Sequence, residues 1–419
     1  MSTRTLRRRL YLDIHLVQSY PYSNLNRDRQ NSPKIATYGG VTRARTSSQN
    51  GKRHARVAVE KALGIRAVRT RGVPQAVAGR LQDRGWSTDL ALVAGQMLIL
   101  AAGVKGLGIA DTDGTNALLF LPHEALDVLA DLADTHREAI TREAAAFAAK
   151  EAKAVKKSAR KPAAEQDLVP EADAEDAALG EGSPLAKHAA DAVPKKEVLA
   201  VLQSRNASVA AFGRMLANEG DSTVAGAVQM AHSLSTHATT TQTDFFSAVD
   251  DLQEDAGVES GAGHMGDNRY TSATFYKYAS LNVSELQDTL DGDLDTAREV
   301  TSAFLRAFVT AVLPAKSSGT APFTVPHLVY VTVRTDRPVS LVGAYETAIP
   351  TSTDGYLPAS LRALDAHAAA HHRFLGTDGR ADHFYSGLTD TELPALGDRV
   401  DSLDAVVTRV LDTLAKEQA

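Results

Sequence analysis

Residues 10–18 read LYLDIHLVQ. Leu10, Leu12, Ile14 and Leu16 fall on one side of an extended chain, and Tyr11, Asp13, His15 and Val17 on the other. This period of two predicts a half-buried β-strand. A polar loop follows, SYPYSNLNRDRQNSPKIATYGG (19–40), with Pro, Asn and Gly as turn formers. Ser47 or Ser48 then caps a helix that runs to about Leu63, where Gly64 ends it. Ala55, Val59 and Ala62 form its apolar stripe; Lys52 and Arg56 lie one turn apart on another face, with Arg53 beside them. Much later, YTSATFYKYASLNV (270–283) reads as a strand rich in Thr and aromatic residues. Ser284 is placed as the cap of the next helical piece, and LDTAREVTSAFLRAFVTAVL (294–313) is an amphipathic helix. HLVYVTVRTD (327–336) is another strand, and 400–416 a last helix with Leu403, Val407, Val410 and Leu414 inward. Strand, helix, strand, helix, strand with long insertions is the order of an α+β sandwich of the ferredoxin-like type.

The insertions differ in character. Residues 75–149 read as mainly helical, with a turn at DTDGTN (111–116). No aromatic residue occurs from Ala148 to Ala211. The Ala-, Lys-, Glu- and Pro-rich stretch about 150–195 buries too little apolar surface to fold and is expected to be a disordered loop, with helix resuming around Lys195 to Val209. From Thr236 to Asn268 a Thr-, Gly- and Asp-rich segment around DFFSAVDDL suggests a long hairpin-like excursion.

Composition bounds the function. The 419 residues suffice for more than one domain, and the absence of cysteine excludes disulfides, thiolate metal sites and a cysteine nucleophile. The most apolar run, Leu90 to Val104, is too short to span a bilayer and reads as a buried helix; no membrane association is expected and the expected location is cytoplasmic. The net charge of −6 hides an asymmetry. Residues 1–71 hold 16 of the 45 Lys/Arg and 3 of the 51 Asp/Glu, a net of +13, while the remaining 29 basic and 48 acidic residues give −19. A basic segment on an acidic body points to a local polyanion site or to pairing with acidic protein surface.

Most catalytic signatures are missing. There is no G-x-x-x-x-G-K-[ST] loop and no G-x-S-x-G elbow. DTDGTN places Gly114 too early for a calcium loop and no Glu closes it, so it reads as a surface turn. His367 and His371 are one helical turn apart, but no third ligand is evident and Ala368 stands where a metalloprotease has Glu; a solvated polar face is the better reading. No metal and no cofactor is expected. What remains is the basic constellation Arg27, Arg29, Lys34, Arg43, Arg45, Lys52, Arg53 and Arg56 around a helix N-terminus, where free N–H groups and the helix dipole favour an anion. Ser47, Ser48 and Gln49 add neutral donors for phosphate or sugar oxygens. Mixed donors beside an open sheet favour RNA or single-stranded nucleic acid over duplex reading.

NLNRD, then GG, then R-x-R-x-SSQ-x-x-KR resembles the N-terminus of the CasC-type backbone subunit of the type I-E Cascade, a CRISPR surveillance complex. The likeness resumes at FGRM (212–215) and QMAHSLSTH (229–237), and is closest in DFFSAVDDLQE (244–254) and FYKYASLNVSEL (275–286), covering roughly 10–60 and 212–312. The resemblance implies a modified RNA-recognition-motif palm (1–64 and 206–419), a helical fingers insertion (65–205) and a β-hairpin thumb (236–268). It implies a non-catalytic subunit whose copies stack head to tail along the spacer of a CRISPR guide RNA. With the other Cascade subunits it presents the guide for pairing with target DNA. Carried over by position, Asn26, Arg27, Lys34, Ser47, Ser48, Gln49, Lys52, Arg53 and Arg56 hold guide phosphates. Arg214 and Met215 lie along the RNA, the methionine as a wedge against a base. Phe245 and Phe246 belong to the thumb base, where packing of thumb on palm is as good an explanation as stacking on a base. Against the fold alone, two alternatives stand: an endoribonuclease with His15 or Asp28 catalytic, and a scaffold whose basic patch meets an acidic protein. A hydrogen-bonded His15 and a salt-bridged Asp28 are the plainer readings of those two residues.

Overall fold

The computed structural model describes residues 9–158, 183–214, 223–248 and 264–419. Along the chain the strands are β1 (Tyr11–Ser23), β2 (Ile35–Tyr38), β3 (Val41–Thr46), β4 (Ala67–Thr70), β5 (Leu119–Pro122), β6 (Val228–Met230), β7 (Ser233–Ser235), β8 (Gln242–Ala248), β9 (His264–Asn282), β10 (Leu328–Arg334), β11 (Arg380–Ser386) and β12 (Asp398–Arg399). The helices are α1 (Ser48–Leu63), α2 (Val73–Asp83), α3 (Thr88–Ala101), α4 (Ala125–Thr135), α5 (Arg137–Ser158), α6 (Pro184–Ala192), α7 (Lys195–Leu202), α8 (Ala207–Phe212), α9 (Val283–Thr289), α10 (Leu294–Thr310), α11 (Ser317–Thr320), α12 (Leu357–Leu375) and α13 (Leu403–Gln418). They form two compact units, one of Met1–Leu63 with Ala227–Ala419, the other of Gly64–Gly226. Residues 206–214 and 223–226, read from sequence as part of the palm, group with the second unit.

The first unit is built on a mixed, mostly antiparallel sheet of order β12-β11-β10-β1-β9-β7-β3-β2, with β6 and β8 also paired to β9. Within it β10-β1-β9-β6, with α1 and α10 as the two crossovers, is the βαββαβ order expected of an α+β ferredoxin-like fold. β1 lies at the centre, antiparallel to both β10 and β9. Its expected half-burial is corrected: Asp13 is 0% and His15 1% exposed. A central strand covered on both faces must satisfy its polar groups internally. Asp13 does so by accepting from Tyr278 Oη at 2.9 Å and Val339 N at 2.8 Å. Burial still raises its carboxyl to about 6.

The register assigns the two faces. Leu12, Ile14 and Leu16 share theirs with Leu281, Ala279 and Lys277, and with Val228 and Met230 of β6. Gly51 of α1 lies against the Met230 sulfur, so α1 covers this side, packed on α10. Ala55 and Val59 of the expected stripe are buried; Ala62 is exposed, and Glu60 is buried instead. Gly64 ends α1 at φ +65°, a conformation without a Cβ penalty. The opposite face carries His15, Tyr276 and Tyr330, and α12 covers it through Leu361, Leu364 and Ala368. Asn282 caps α9 by accepting from Glu285 N, while Ser284, expected as the cap, accepts from Leu10 N. β8 pairs antiparallel with the first half of β9, Gln242↔Tyr270 through Ala248↔His264, as the expected hairpin. Its tip, 249–263, lies outside the described residues.

The second unit is mainly helical. Its core gathers Val77, Leu81, Trp86, Met97, Leu98 and Leu129 from α2, α3, α4 and the α2–α3 turn. A two-stranded sheet of β4 and β5 was missed in the sequence; β5 sits in the 75–149 stretch read as mainly helical. DTDGTN is the expected surface turn, with Asp113 at φ +61°. The low-complexity reading of 150–195 is corrected at both ends. Residues 150–158 continue α5, and α6 begins at Pro184 with Leu185 and Ala189 buried. The middle of that stretch, 159–182, lies outside the described residues.

Candidate nucleic-acid interface

The turn from β3 into α1 is laced to the loop that follows β1. Ser47 N donates to Asn26 Oδ1 at 2.9 Å. Lys34 N donates to Asn26 O and Arg45 N to Lys34 O, both at 2.8 Å. Ser47 also caps α1, its Oγ accepting from Asn50 N at 3.4 Å and its carbonyl from Gly51 N at 3.1 Å. These bonds bring Asn26, Lys34, Ser47, Ser48 and Gln49 together at one helix N-terminus. Arg27 and Asp28 stand on the adjoining loop, exposed. Asp28 Oδ1 accepts from Gln30 N and Ser32 N at 2.8 and 2.9 Å, which builds the turn rather than the expected pair with Arg27. Arg27 instead donates to Asn31 Oδ1 at 3.3 Å.

The basic side chains divide into committed and uncommitted groups. Arg43 is fully buried and donates to the carbonyls of Tyr38, Ser235, Tyr345 and Glu346 at 2.8–3.2 Å. It is therefore removed from the surface constellation. Arg56 Nη1 pairs with buried Glu60 at 2.6 Å. Lys52, half-buried on the first turns of α1, has no hydrogen-bond or ion-pair partner among the described residues. Desolvation holds its ammonium below the usual lysine range. Arg53 beside it is exposed. An unpaired, partly desolvated cation at a helix N-terminus is a ready anion site.

His232 joins this cluster and was not singled out from sequence. Its Nδ1 accepts from Ser48 N at 3.1 Å and lies 3.4 Å from Arg45 Nη1. The only signal was its place in QMAHSLSTH, which pairs through β7 with β3. A small pocket lined by Asn26, Lys34, Arg45, Thr46 and Phe275 adjoins the cluster.

The other expected contacts fall elsewhere. Arg214, in the second unit, is 4% exposed and donates to the carbonyls of Ser204 and Gln203 at 2.7 and 2.9 Å. It closes the carbonyl end of α7 from within this unit. Burial brings its guanidinium down to about 10. Met215 lies outside the described residues. Phe245 and Phe246 point to opposite faces of the β8–β9 hairpin. Phe246 lies over Gly266, and Phe245 is 67% exposed. His15, the first of the two catalytic alternatives, is buried with Nδ1 2.8 Å from Tyr276 Oη. Burial lowers it to about 3, so it is neutral at ordinary pH.

With the geometry in place, comparison with known proteins is informative. A family model described as CT1975-like protein matches residues 12–409. The chain belongs to that family. A chain of a solved "CRISPR RNA-guided surveillance complex, pre-nicking" is 36% identical, with a TM-score of 0.78 over 96% of this chain and 99% of that one. A second, from a "CRISPR RNA-guided surveillance complex", is 33% identical, with a TM-score of 0.70 over the same shares. No curated protein matches.

Proposed function

We propose that this protein is a non-catalytic, guide-RNA-binding backbone subunit of a CRISPR surveillance complex of the Cascade type, in its I-E class. The observation that carries the reading is Lys52: a half-buried cation without a protein partner, at a helix N-terminus ringed by Ser47, Ser48, Gln49 and Lys34. The solved structures it resembles come from RNA-guided surveillance complexes, which supports RNA as the anion. Lys52 and Arg53 neutralise guide phosphates, Lys34 and Arg27 extend the track, and the Ser47–Gln49 turn supplies neutral donors. Asn26 positions that turn through Ser47 N. Arg56, one turn further, keeps Glu60 neutralised and adds its positive charge to the track.

In this reading the first unit is the palm, the second the fingers, and the β8–β9 hairpin the thumb. Copies stack head to tail along the spacer, with other Cascade subunits at the ends, and the exposed guide pairs with target DNA. A nuclease role for His15 or Asp28 is disfavoured. The imidazole is buried under tyrosines, and both N–H bonds to Asp28 Oδ1 serve the loop. The test is co-purification: the chain is expressed with its complex partners and a CRISPR transcript, and the bound RNA is sequenced. Discrete spacer-containing RNA of one length, lost in Lys52→Ala/Arg53→Ala, supports the reading. Purification with no RNA, or with random RNA released by modest salt, overturns it.

A further inference from the structure

On the face of the sheet opposite α1, a pocket opens between β1, β10 and the end of α12. It is open to solvent and is lined by His15, Tyr330, Thr332, Arg334, His371 and His372 among others. Tyr330, Thr332 and Arg334 alternate along β10 and therefore present the same face; the register sets Tyr330 opposite His15.

The polar groups here are donors left without acceptors. Tyr276 Oη accepts from Leu341 N at 3.0 Å and from the Ser340 hydroxyl, so its own hydrogen goes to His15 Nδ1 at 2.8 Å. The His15 proton is then on Nε2, which has no partner among the described residues. Neither have the Tyr330 hydroxyl, the Thr332 hydroxyl and Arg334 Nη1. Arg334 uses Nε and Nη2 on Asp336 and on the Arg337 carbonyl. His371 Nε2 lies 3.1 Å from His367 Nε2; with the proton of that bond on His367, His371 carries its own on Nδ1, which is buried without a hydrogen bond, as is Nη1 of nearby Arg380. His371 Nδ1 and Arg380 Nη1 are fully buried, and the other groups line the open pocket; together they call for an acceptor.

The charge balance selects its sign. Arg334, Arg337 and Arg380 surround the histidines. Of the nearby carboxylates, Asp336 is tied to Arg334 at 2.7 Å and Asp13 already accepts from Tyr278 and Val339. Asp365 accepts from Ala395 N at 2.8 Å. Cationic and neutral donors thus outnumber free acceptors, and an oxyanion, with several lone pairs at tetrahedral spacing, satisfies them together.

We infer that this pocket is a binding site for one small oxyanion of the phosphate class, held by Arg334, Tyr330, Thr332 and the His15–His371–His372 cluster. It is separate from the α1 terminus, lying across the sheet from it.

The test is titration of the full-length chain with sodium phosphate against sodium chloride at equal ionic strength, followed by thermal denaturation and by the phosphorus-31 line width. Phosphate alone should give a saturable rise in Tm and line broadening. Tyr330→Phe/Thr332→Val removes two donors at nearly constant shape and should abolish both responses. His372→Gln, on the helix end, should weaken binding about tenfold and serves as the deciding variant if the strand pair fails to fold. An equal response to chloride, or an undiminished phosphate response in the variants that fold, overturns the site.

Discussion

Arg56 Nη1 lies 2.6 Å from Glu60 Oε1 on α1, while Lys52, one turn earlier on the same helix, has no such partner among the described residues. Two cations that look equivalent in sequence therefore do different work. Lys52→Ala should weaken guide RNA binding for all sequences and lower the log–log salt slope by about 0.7. Its Tm should stay near wild type. Filter binding across a salt series checks this, and an unchanged slope would remove Lys52 from the interface.

Arg56→Ala should differ by lowering stability. Glu60 is 7% exposed and would lose the Arg56 counter-charge, a cost of about 1–3 kcal/mol. Urea denaturation should show the loss, and Arg56→Ala/Glu60→Gln should recover part of it. No recovery in the double variant would mean that the pair carries no stability.

Arg43 ties β3 to the end of β2, to β7 and to the chain at Tyr345 and Glu346. Arg43→Met should strand four carbonyl acceptors and cost about 3 kcal/mol or more, read as a lower urea midpoint. A surface role would instead leave stability intact and change RNA affinity.

Asp13 and His15 oppose each other in acid. Asp13 is raised from 3.8 to about 6 by burial, so the folded state holds its proton more tightly and this group's stability is lost as pH rises from about 4 through 6. His15 is lowered from 6.5 to about 3, so its contribution is lost as pH falls from about 6.5 through 3. Between pH 4 and 6 the two slopes cancel. Asp13→Asn should therefore unmask a steep fall in Tm with acidification over that window, measured by calorimetry at stepped pH. A parallel shift without a change in slope would show that Asp13 is not the balancing group.

The hairpin phenylalanines should separate as well. Phe245→Ala should leave Tm unchanged and impair assembly on guide RNA, measured by sedimentation. Phe246→Ala should lower Tm, because its ring covers Gly266. Equal effects from the two would contradict their placement on opposite faces.

Much of this molecule is written in local pattern. The alternation of 10–18, the cap at Ser47, the φ-positive Gly64 and the amphipathic helix from Leu294 follow from periods and backbone preferences that need no distant partner. The strand and helix order that results is enough for the ferredoxin-like arrangement. The basic cluster around the α1 N-terminus was equally legible, since charge and capping residues are read directly.

Tertiary structure decided which of those residues are free. Burial of β1 on both faces depends on α12, a helix from the far end of the chain, so Asp13 and His15 changed from surface to core. Arg43 and Arg214 found carbonyls that local sequence does not announce, and long-range packing brought His232 to Ser48. The β4–β5 pair joins strands about fifty residues apart. A side chain's partners are set by contacts of high sequence separation, while its local conformation is set by its neighbours. The sequence alone therefore determined most of the elements and the place of the basic cluster, and the fold decided which of its cations remain without a protein partner among the described residues.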